Sequence, residues 1–74
     1  METMWVVIHM VRGEEAAQRL RGRLADEGFM VRLRAVYKSL PPEDNTYEIA
    51  ALKSEAAEAR DVLLETGMIL TGIE

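Results

Sequence analysis

Residues 15–31 read EAAQRLRGRLADEGFMV, and residues 55–70 read EAAEARDVLLETGMIL. Both segments open with Glu-Ala-Ala and reach a glycine, thirteen residues after the first glutamate in one copy and twelve in the other. One deletion therefore brings the two copies into register. An apolar run precedes each copy, from Trp5 to Val11 and from Tyr47 to Leu52. This repetition predicts two tandem β-α-β units, and hence a compact fold of two layers.

The first copy has the periodicity and the ending of an amphipathic helix. Ala17, Leu20 and Leu24 recur at helical spacing and predict the stripe that faces the core. Gly28 is placed as the left-handed residue that follows a helix, and Phe29 would pack back on Leu24. The first copy is therefore predicted to be a helix closed by a Schellman motif.

The second copy predicts a helix with the same design. Ser54 is its predicted N-cap, because a serine hydroxyl can accept a hydrogen bond from the first helical amides. Gly67 is predicted to end the helix, with Met68 packed against Leu63. The predicted inward stripe consists of Ala56, Ala59, Val62 and Leu63.

The remaining apolar segments predict strands. The run from Met4 to Val11 is apolar on both alternating faces, which is typical of a central strand covered on both sides. Two parities stay open for the face turned away from the helices: Met4, Val6, Ile8 and Met10, or Trp5, Val7, His9 and Val11. Residues 29–37 alternate cleanly, residues 47–52 turn Tyr47, Ile49 and Ala51 inward, and residues 68–73 predict a short last strand.

The order β-α-β-β-α-β predicts an α+β fold with a four-stranded antiparallel sheet and both helices on one face. This architecture is the ferredoxin-like plait, and residues 1–74 are long enough for a single such domain. Many unrelated functions occur on this fold, so function has to be argued from surfaces and sites.

Composition excludes several kinds of chemistry. The chain has no cysteine, which rules out thiolate catalysis, zinc ribbons and iron–sulfur clusters and favours a reducing cytoplasm. Its single histidine, His9, lies on an apolar strand, where a structural role fits better than that of a general base. The N-terminus lacks the basic start of a signal peptide, and the run from Met4 to Val11 is far too short to span a membrane. We expect no catalytic residue, metal or cofactor.

The net charge of −4 is unevenly divided. Residues 1–38 hold seven basic and five acidic residues, whereas residues 39–74 hold two basic and eight acidic residues. Halves of opposite charge can face each other within one chain or pair between two chains. Association is also the stabilising route left to so short a chain without disulfides.

Five arginines raise the question of nucleic-acid binding. Plait proteins that bind RNA stack bases on aromatic residues of the sheet, whereas strand two carries Arg32 and Arg34 at those positions. The net charge is acidic as well, so the sequence argues against a nucleic-acid partner. We expect Arg32 and Arg34 to protect an edge strand from aggregation and to pair with Glu48 across the hairpin.

The sheet face away from the helices is the candidate functional surface. With both helices on the other side, this face is predicted to be apolar with a charged rim, and monomeric proteins rarely leave such a patch open. The alternative is that the loop at residues 38–46 folds over it. The predicted interaction surface consists of Met30, Arg32, Arg34, Val36, Ala50 and Leu52.

Nearly the whole chain resembles a family of small bacterial proteins of unknown function. The resemblance lies in Trp5-Val6-Val7-Ile8, in the helix that leads to Glu27-Gly28-Phe29-Met30-Val31, and in Tyr47-Glu48-Ile49 with Glu55-Ala56. Some members are catalogued as signal-transducing proteins with a plait like that of nitrogen regulatory proteins. The resemblance implies a regulatory role and carries no catalytic residues.

The first helix also resembles effector-binding ACT modules, through a glycine turn, a helix and the ending Ala25-Asp26-Glu27-Gly28-Phe29. In place of the usual Pro-Gly turn this chain has Gly13-Glu14. The resemblance implies that an effector would bind at the turn formed by Arg12, Gly13 and Glu14.

These observations predict a non-enzymatic, cytoplasmic interaction or regulatory module. Its expected partner is a second copy, as a homodimer, or another protein, and the membrane is not expected to be one. The alternative is a sensor of the ACT or nitrogen-regulatory class that binds a small-molecule effector between subunits.

Overall fold

A computed structural model of the chain describes residues 4–68. The chain forms a three-stranded antiparallel sheet and two helices. The elements are β1 (Trp5–Arg12), α1 (Glu14–Asp26), β2 (Val31–Ala35), β3 (Thr46–Leu52), a short 3-10 turn (Lys53–Glu55) and α2 (Ala56–Glu65).

The strands lie in the order β1-β3-β2, and β3 pairs antiparallel with both neighbours. This α+β arrangement is compatible with the predicted plait. The predicted last strand at residues 68–73 lies outside the described residues, apart from Met68. Neither helix of the described part is long and apolar enough to cross a membrane.

Both helices pack on the same side of the sheet, because both contribute to one buried cluster. Tyr47, Ile49 and Ala51 of β3 are buried, as their predicted inward parity requires. The predicted stripe of α1 is buried too, and so are Ala59 and Leu63 of α2. The cluster consists of Ile8, Leu20, Leu24, Ile49, Ala51, Ala59 and Leu63.

The two helices end in the same way, which confirms the repeat seen in the sequence. After α1, Gly28 has a φ of 96°, and the Phe29 amide donates to the Leu24 carbonyl over 3.0 Å. After α2, Gly67 has a φ of 76°, and Met68 donates to Leu63 over 3.0 Å. These are the contacts of a Schellman motif, in which only glycine adopts the left-handed conformation without strain.

The start of α2 differs from the prediction that Ser54 would cap it. Ser54 lies inside the 3-10 turn, and the N-cap is Glu55, without a side-chain cap. The chain starts to turn directly at the end of β3, where the Lys53 amide donates to the Met4 carbonyl over 2.7 Å. This early turn moves the start of the helix past the serine.

Strand β1 contains a bulge, so neither of the two alternating parities holds along its length. Val7 lies opposite Ala50, whereas His9 lies opposite Ile49, so the register shifts between them. Ile8 is the extra residue between them, and its side chain is buried in the core. A bulge of this kind reverses the alternation beyond it. Consequently the first half of the strand follows one parity and the second half follows the other.

The segment between β2 and β3 is fastened at one end of the sheet. The buried side chain of Asn45 accepts from the Tyr37 amide over 3.0 Å and donates to the Tyr37 carbonyl. Backbone bonds join the segment to the start of α1, from Gly13 to Asn45 (2.8 Å) and from Glu14 to Pro42 (3.1 Å). The segment is therefore tied to the turn between β1 and α1.

Candidate interaction surface

The sheet side turned away from the helices is called the open face here. Its register can be read across the three strands: Val7 lies beside Ala50, and Ala50 lies beside Arg32. In the next row, Met10 lies beside Glu48, and Glu48 beside Arg34. The open face consists of Trp5, Val7, Met10 and Arg12 on β1, Thr46, Glu48, Ala50 and Leu52 on β3, and Arg32 and Arg34 on β2.

The open face is apolar along β1 and basic along β2. Val7 and Met10 are 47% and 49% exposed, so none of the described residues covers them fully. The alternative prediction, that the loop at residues 38–46 folds over this face, is wrong for the described residues. Instead, the carbonyls of Pro42 and Asn45 accept hydrogen bonds from the backbone at the start of α1. Val7 and Met10 therefore form an exposed apolar column on the open face.

Trp5 and Arg32 are joined across the sheet. The guanidinium carbon of Arg32 lies 4.2 Å from the centre of the Trp5 ring, although the two residues are on opposite outer strands. Ala50 lies between them on β3, and its single methyl group leaves room for the long arginine side chain to pass. A cation over an indole ring is an attractive contact, best with tryptophan.

A shallow depression of about 330 Å³ lies over Ala50. Trp5 and Val7 form its apolar side, and Arg32, Arg34 and Glu48 form its polar side. The depression exists because the central residue of the face is small while its neighbours are large. It offers apolar surface and guanidinium groups within one site, but no arrangement of a nucleophile and a base.

Arg34 and Glu48 form the cross-strand pair that the sequence predicts. The Arg34 Nε donates to Glu48 Oε1 over 2.9 Å, and this carboxylate raises the pKa of the Arg34 guanidinium. Arg34 remains 73% exposed, so the pair adds little to stability. Among the described residues, no carboxylate forms an ion pair with Arg12 or Arg32. The open face therefore has a surplus of positive charge.

The structure brings four of the six predicted surface residues together on the open face: Arg32, Arg34, Ala50 and Leu52. Met30 precedes β2 and is 58% exposed, and it lines a second depression of about 430 Å³ together with Trp5 and Arg32 of the open face. Val36 follows β2, and its amide donates to the Thr46 carbonyl over 2.8 Å.

Sequence reasoning left open whether Trp5 and Val7 face this side, and it did not pair them with Met10. A strict alternation puts Met10 on the opposite parity from Val7, and only the bulge places both on the open face. The sequence contains no glycine or proline at Ile8 or His9 that would have signalled the bulge.

Backbone amides of the predicted effector turn already donate hydrogen bonds within the protein. The amides of Gly13 and Glu14 donate to loop carbonyls, so they are not available to an anion. A depression of about 240 Å³ lies beside this turn, and Glu14, Glu15 and Glu43 line it together with Arg12 and Arg19. The three carboxylates outnumber the two guanidinium groups, so the depression has no excess of positive charge for a negatively charged ligand.

His9 lies on the helix side of β1, away from the open face. Partial burial, and secondarily the positive charge of Arg60, lower the pKa of its imidazole. No group of three histidine, aspartate or glutamate side chains in residues 4–68 is arranged to hold a metal ion. No family model, no curated protein and no solved structure matches this chain.

Proposed function

We propose that the protein is a non-enzymatic, cytoplasmic interaction or regulatory module that acts through its open face. The occupant of that face is a second copy, in a homodimer, or another protein. We also propose that the fold is the complete ferredoxin-like plait, in which residues 68–73 form the fourth strand. The bacterial signal-transduction family that the sequence resembles is part of the same proposal.

The observation that carries the proposal is the exposure of Val7 and Met10, at 47% and 49%, side by side on one face of the sheet. Apolar surface that stays in water costs about 25 cal/mol for each Å². A surface of this kind is most often one that a partner covers. The surplus charge of Arg12 and Arg32 adds a means of orienting that partner.

The proposal is tested by comparing the wild type with Val7→Glu and with the control Ala57→Glu. Both sites are exposed, but Ala57 lies on α2, away from the open face. Solution mass is measured by light scattering over a range of concentrations, and proteins retained from a cell lysate are compared for the three baits. We expect Val7→Glu to lose self-association or a retained protein that Ala57→Glu keeps. Identical masses and identical retained proteins for all three would contradict the proposal.

The second candidate function is a small-molecule sensor of the ACT or nitrogen-regulatory class. The depression beside Gly13 favours it, since it lies at the turn where the resemblance places an effector. Amino acids and nucleotides can be screened by thermal shift. A ligand at a hundred times its Kd should stabilise the fold by about 2.7 kcal/mol. A sensor should show a thermal shift with its ligand, and the shift should be smaller for Gly13→Ala. A protein-interaction module should show no thermal shift with these ligands.

A further inference from the structure

We infer that the open face binds one amphipathic helix of another protein, with acidic residues along one flank of that helix. This inference rests on the proposed function and names the occupant of the same surface. The apolar stripe of the partner lies along β1 and β3, and its carboxylates point toward Arg32 and Arg34 on β2. One large apolar side chain enters the depression over Ala50.

One helix is wide enough to cover the described strands. The axes of β1 and β2 lie about 10 Å apart, close to the diameter of one α-helix with its side chains, and the proposed fourth strand would add width outside this footprint. The eight residues of β1 extend about 26 Å, the length of roughly 18 helical residues. An amphipathic helix presents an apolar stripe of this width and length.

The charges fix the orientation of that stripe. The apolar side chains Trp5, Val7 and Met10 follow β1, and the two guanidinium groups follow β2 on the other edge. A helix lying along the sheet would therefore meet apolar surface on one flank and positive charge on the other. Glu or Asp on that second flank, three or four residues apart, would reach Arg32 and Arg34.

The depression over Ala50 supplies the anchor. Its volume of about 330 Å³ admits one leucine, phenylalanine or tryptophan side chain. Trp5 and Val7 would contact the apolar part of that side chain, and Arg32, which lies on the Trp5 ring, would border it. Interfaces gain most of their affinity from a few large side chains in sites of this kind.

A second copy fits the open face less well. Stacking two open faces would bring together the charges of Arg12 and Arg32 from each copy, which no carboxylate of the described residues pairs. Pairing of two β2 edges would set Arg32 and Arg34 against the same residues of the other copy, a destabilising arrangement.

A single-stranded nucleic acid fits less well too. Base stacking needs several exposed rings, and Trp5 is the only aromatic residue of the open face, with Arg32 over its ring.

The inference is tested by selecting binders from a display library of helical peptides of about 18 residues, with all solvent-facing positions randomised. Selection uses the wild type, with counter-selection against Ala50→Trp, which fills the depression. We expect enriched peptides to carry apolar residues at helical spacing, with Asp or Glu on one flank. Enrichment of basic, extended or aperiodic sequences would overturn the inference, and so would the absence of any peptide that prefers the wild type.

The selected peptide is then synthesised and its affinity measured by calorimetry. Because the area is small, we expect a Kd in about the micromolar range. Ala50→Trp and Arg32→Glu should each weaken binding at least about tenfold. The matched controls Ala57→Trp and Arg19→Glu carry the same changes on the helix side and should bind like the wild type. Equal losses in the controls would overturn the inference.

Two further measurements separate this inference from the proposed function. If the wild type forms a dimer that Ala50→Trp dissociates, the open face is an interaction surface but its occupant is a second copy. If a single-stranded oligonucleotide binds and Ala50→Trp abolishes binding, the occupant is a nucleic acid. Either result overturns the helical partner. The dimer result leaves the proposed function standing. The nucleic-acid result overturns the proposed function as well, and so does a face that binds nothing in an Ala50-dependent way.

Discussion

The Arg60 Nη1 donates a hydrogen bond of 2.9 Å to the carbonyl oxygen of Ile8, and so connects α2 to the bulge in β1. Ile8 is the residue of β1 without an opposite residue on β3, because Val7 lies opposite Ala50 and His9 lies opposite Ile49. A charged donor from the helix layer satisfies this acceptor. The contact holds the register that places Val7 and Met10 together on the open face.

Arg60→Ala should destabilise the fold by about 1–2 kcal/mol, because a hydrogen bond from a charged donor is lost and a partly buried carbonyl is left unpaired. Chemical denaturation measures the change. Arg19→Ala is the matched control, since Arg19 forms only an exposed pair with Glu15 at 4.0 Å. The control should lose less than about 0.5 kcal/mol. Equal losses for both variants would show that the bulge does not depend on Arg60.

The fold should lose stability as the pH falls below about 6.5, the usual pKa of histidine. Burial and Arg60 lower the pKa of His9 in the folded state, so in this range the unfolded chain binds more protons than the native protein. The stabilisation is therefore complete above that pH and decreases below it. Denaturation between about pH 7.5 and 5.5 measures the slope, and His9→Asn should flatten it.

An NMR titration of His9 gives an independent reading of the same effect. Arg60→Ala should raise the pKa of His9 only part of the way to its usual value, because burial is the larger cause and remains. A wild-type pKa at or above about 6.5 would contradict this account.

Arg32→Ala should change the fluorescence of Trp5, which is the single tryptophan of the chain. Loss of the guanidinium uncovers one face of the indole ring, so the emission should shift to longer wavelength and acrylamide should quench it faster. The loss of stability should be about 0.5–1 kcal/mol, as for an exposed cation–π contact. Arg34→Ala removes an equal charge that bonds to Glu48 instead, and it should leave the emission unchanged. If both variants shift the emission equally, the effect is one of charge and not of ring contact.

Asn45→Ala should cost about 1–3 kcal/mol, because it leaves partly buried backbone groups of Tyr37 and Thr46 without their side-chain partner. Asn45 is only 3% exposed. The variant should also speed hydrogen exchange at the amides of Gly13 and Glu14, which are bonded to the same loop. Asp44→Ala, on the exposed neighbour, should do neither. Unchanged exchange at Gly13 would mean that the loop keeps its place without Asn45.

The helices and their ends could be predicted from the sequence because the forces that set them are local. The spacing of Ala17, Leu20 and Leu24 selects the buried stripe, and Gly28 and Gly67 supply the left-handed residue within two positions of each helix end. The alternation in β2 and β3 likewise placed Arg34 and Glu48 on the same face. The Ser54 cap failed because a long-range bond between Lys53 and Met4 decides where the chain turns.

What only the tertiary structure decided is the composition of the open face. Trp5, Val7 and Met10 share one side because β1 has one extra residue between Val7 and His9 in its pairing with β3. The hydrogen bond at this extra residue joins Arg60 and Ile8, which are 52 positions apart in the chain. No window of local sequence contains both partners of these contacts, so periodicity cannot report them. Propensity and spacing act within a few residues, so the sequence was enough to predict α1, α2 and the strands β1, β2 and β3. The surface on which the proposed function depends was decided by contacts between segments that are distant in the chain.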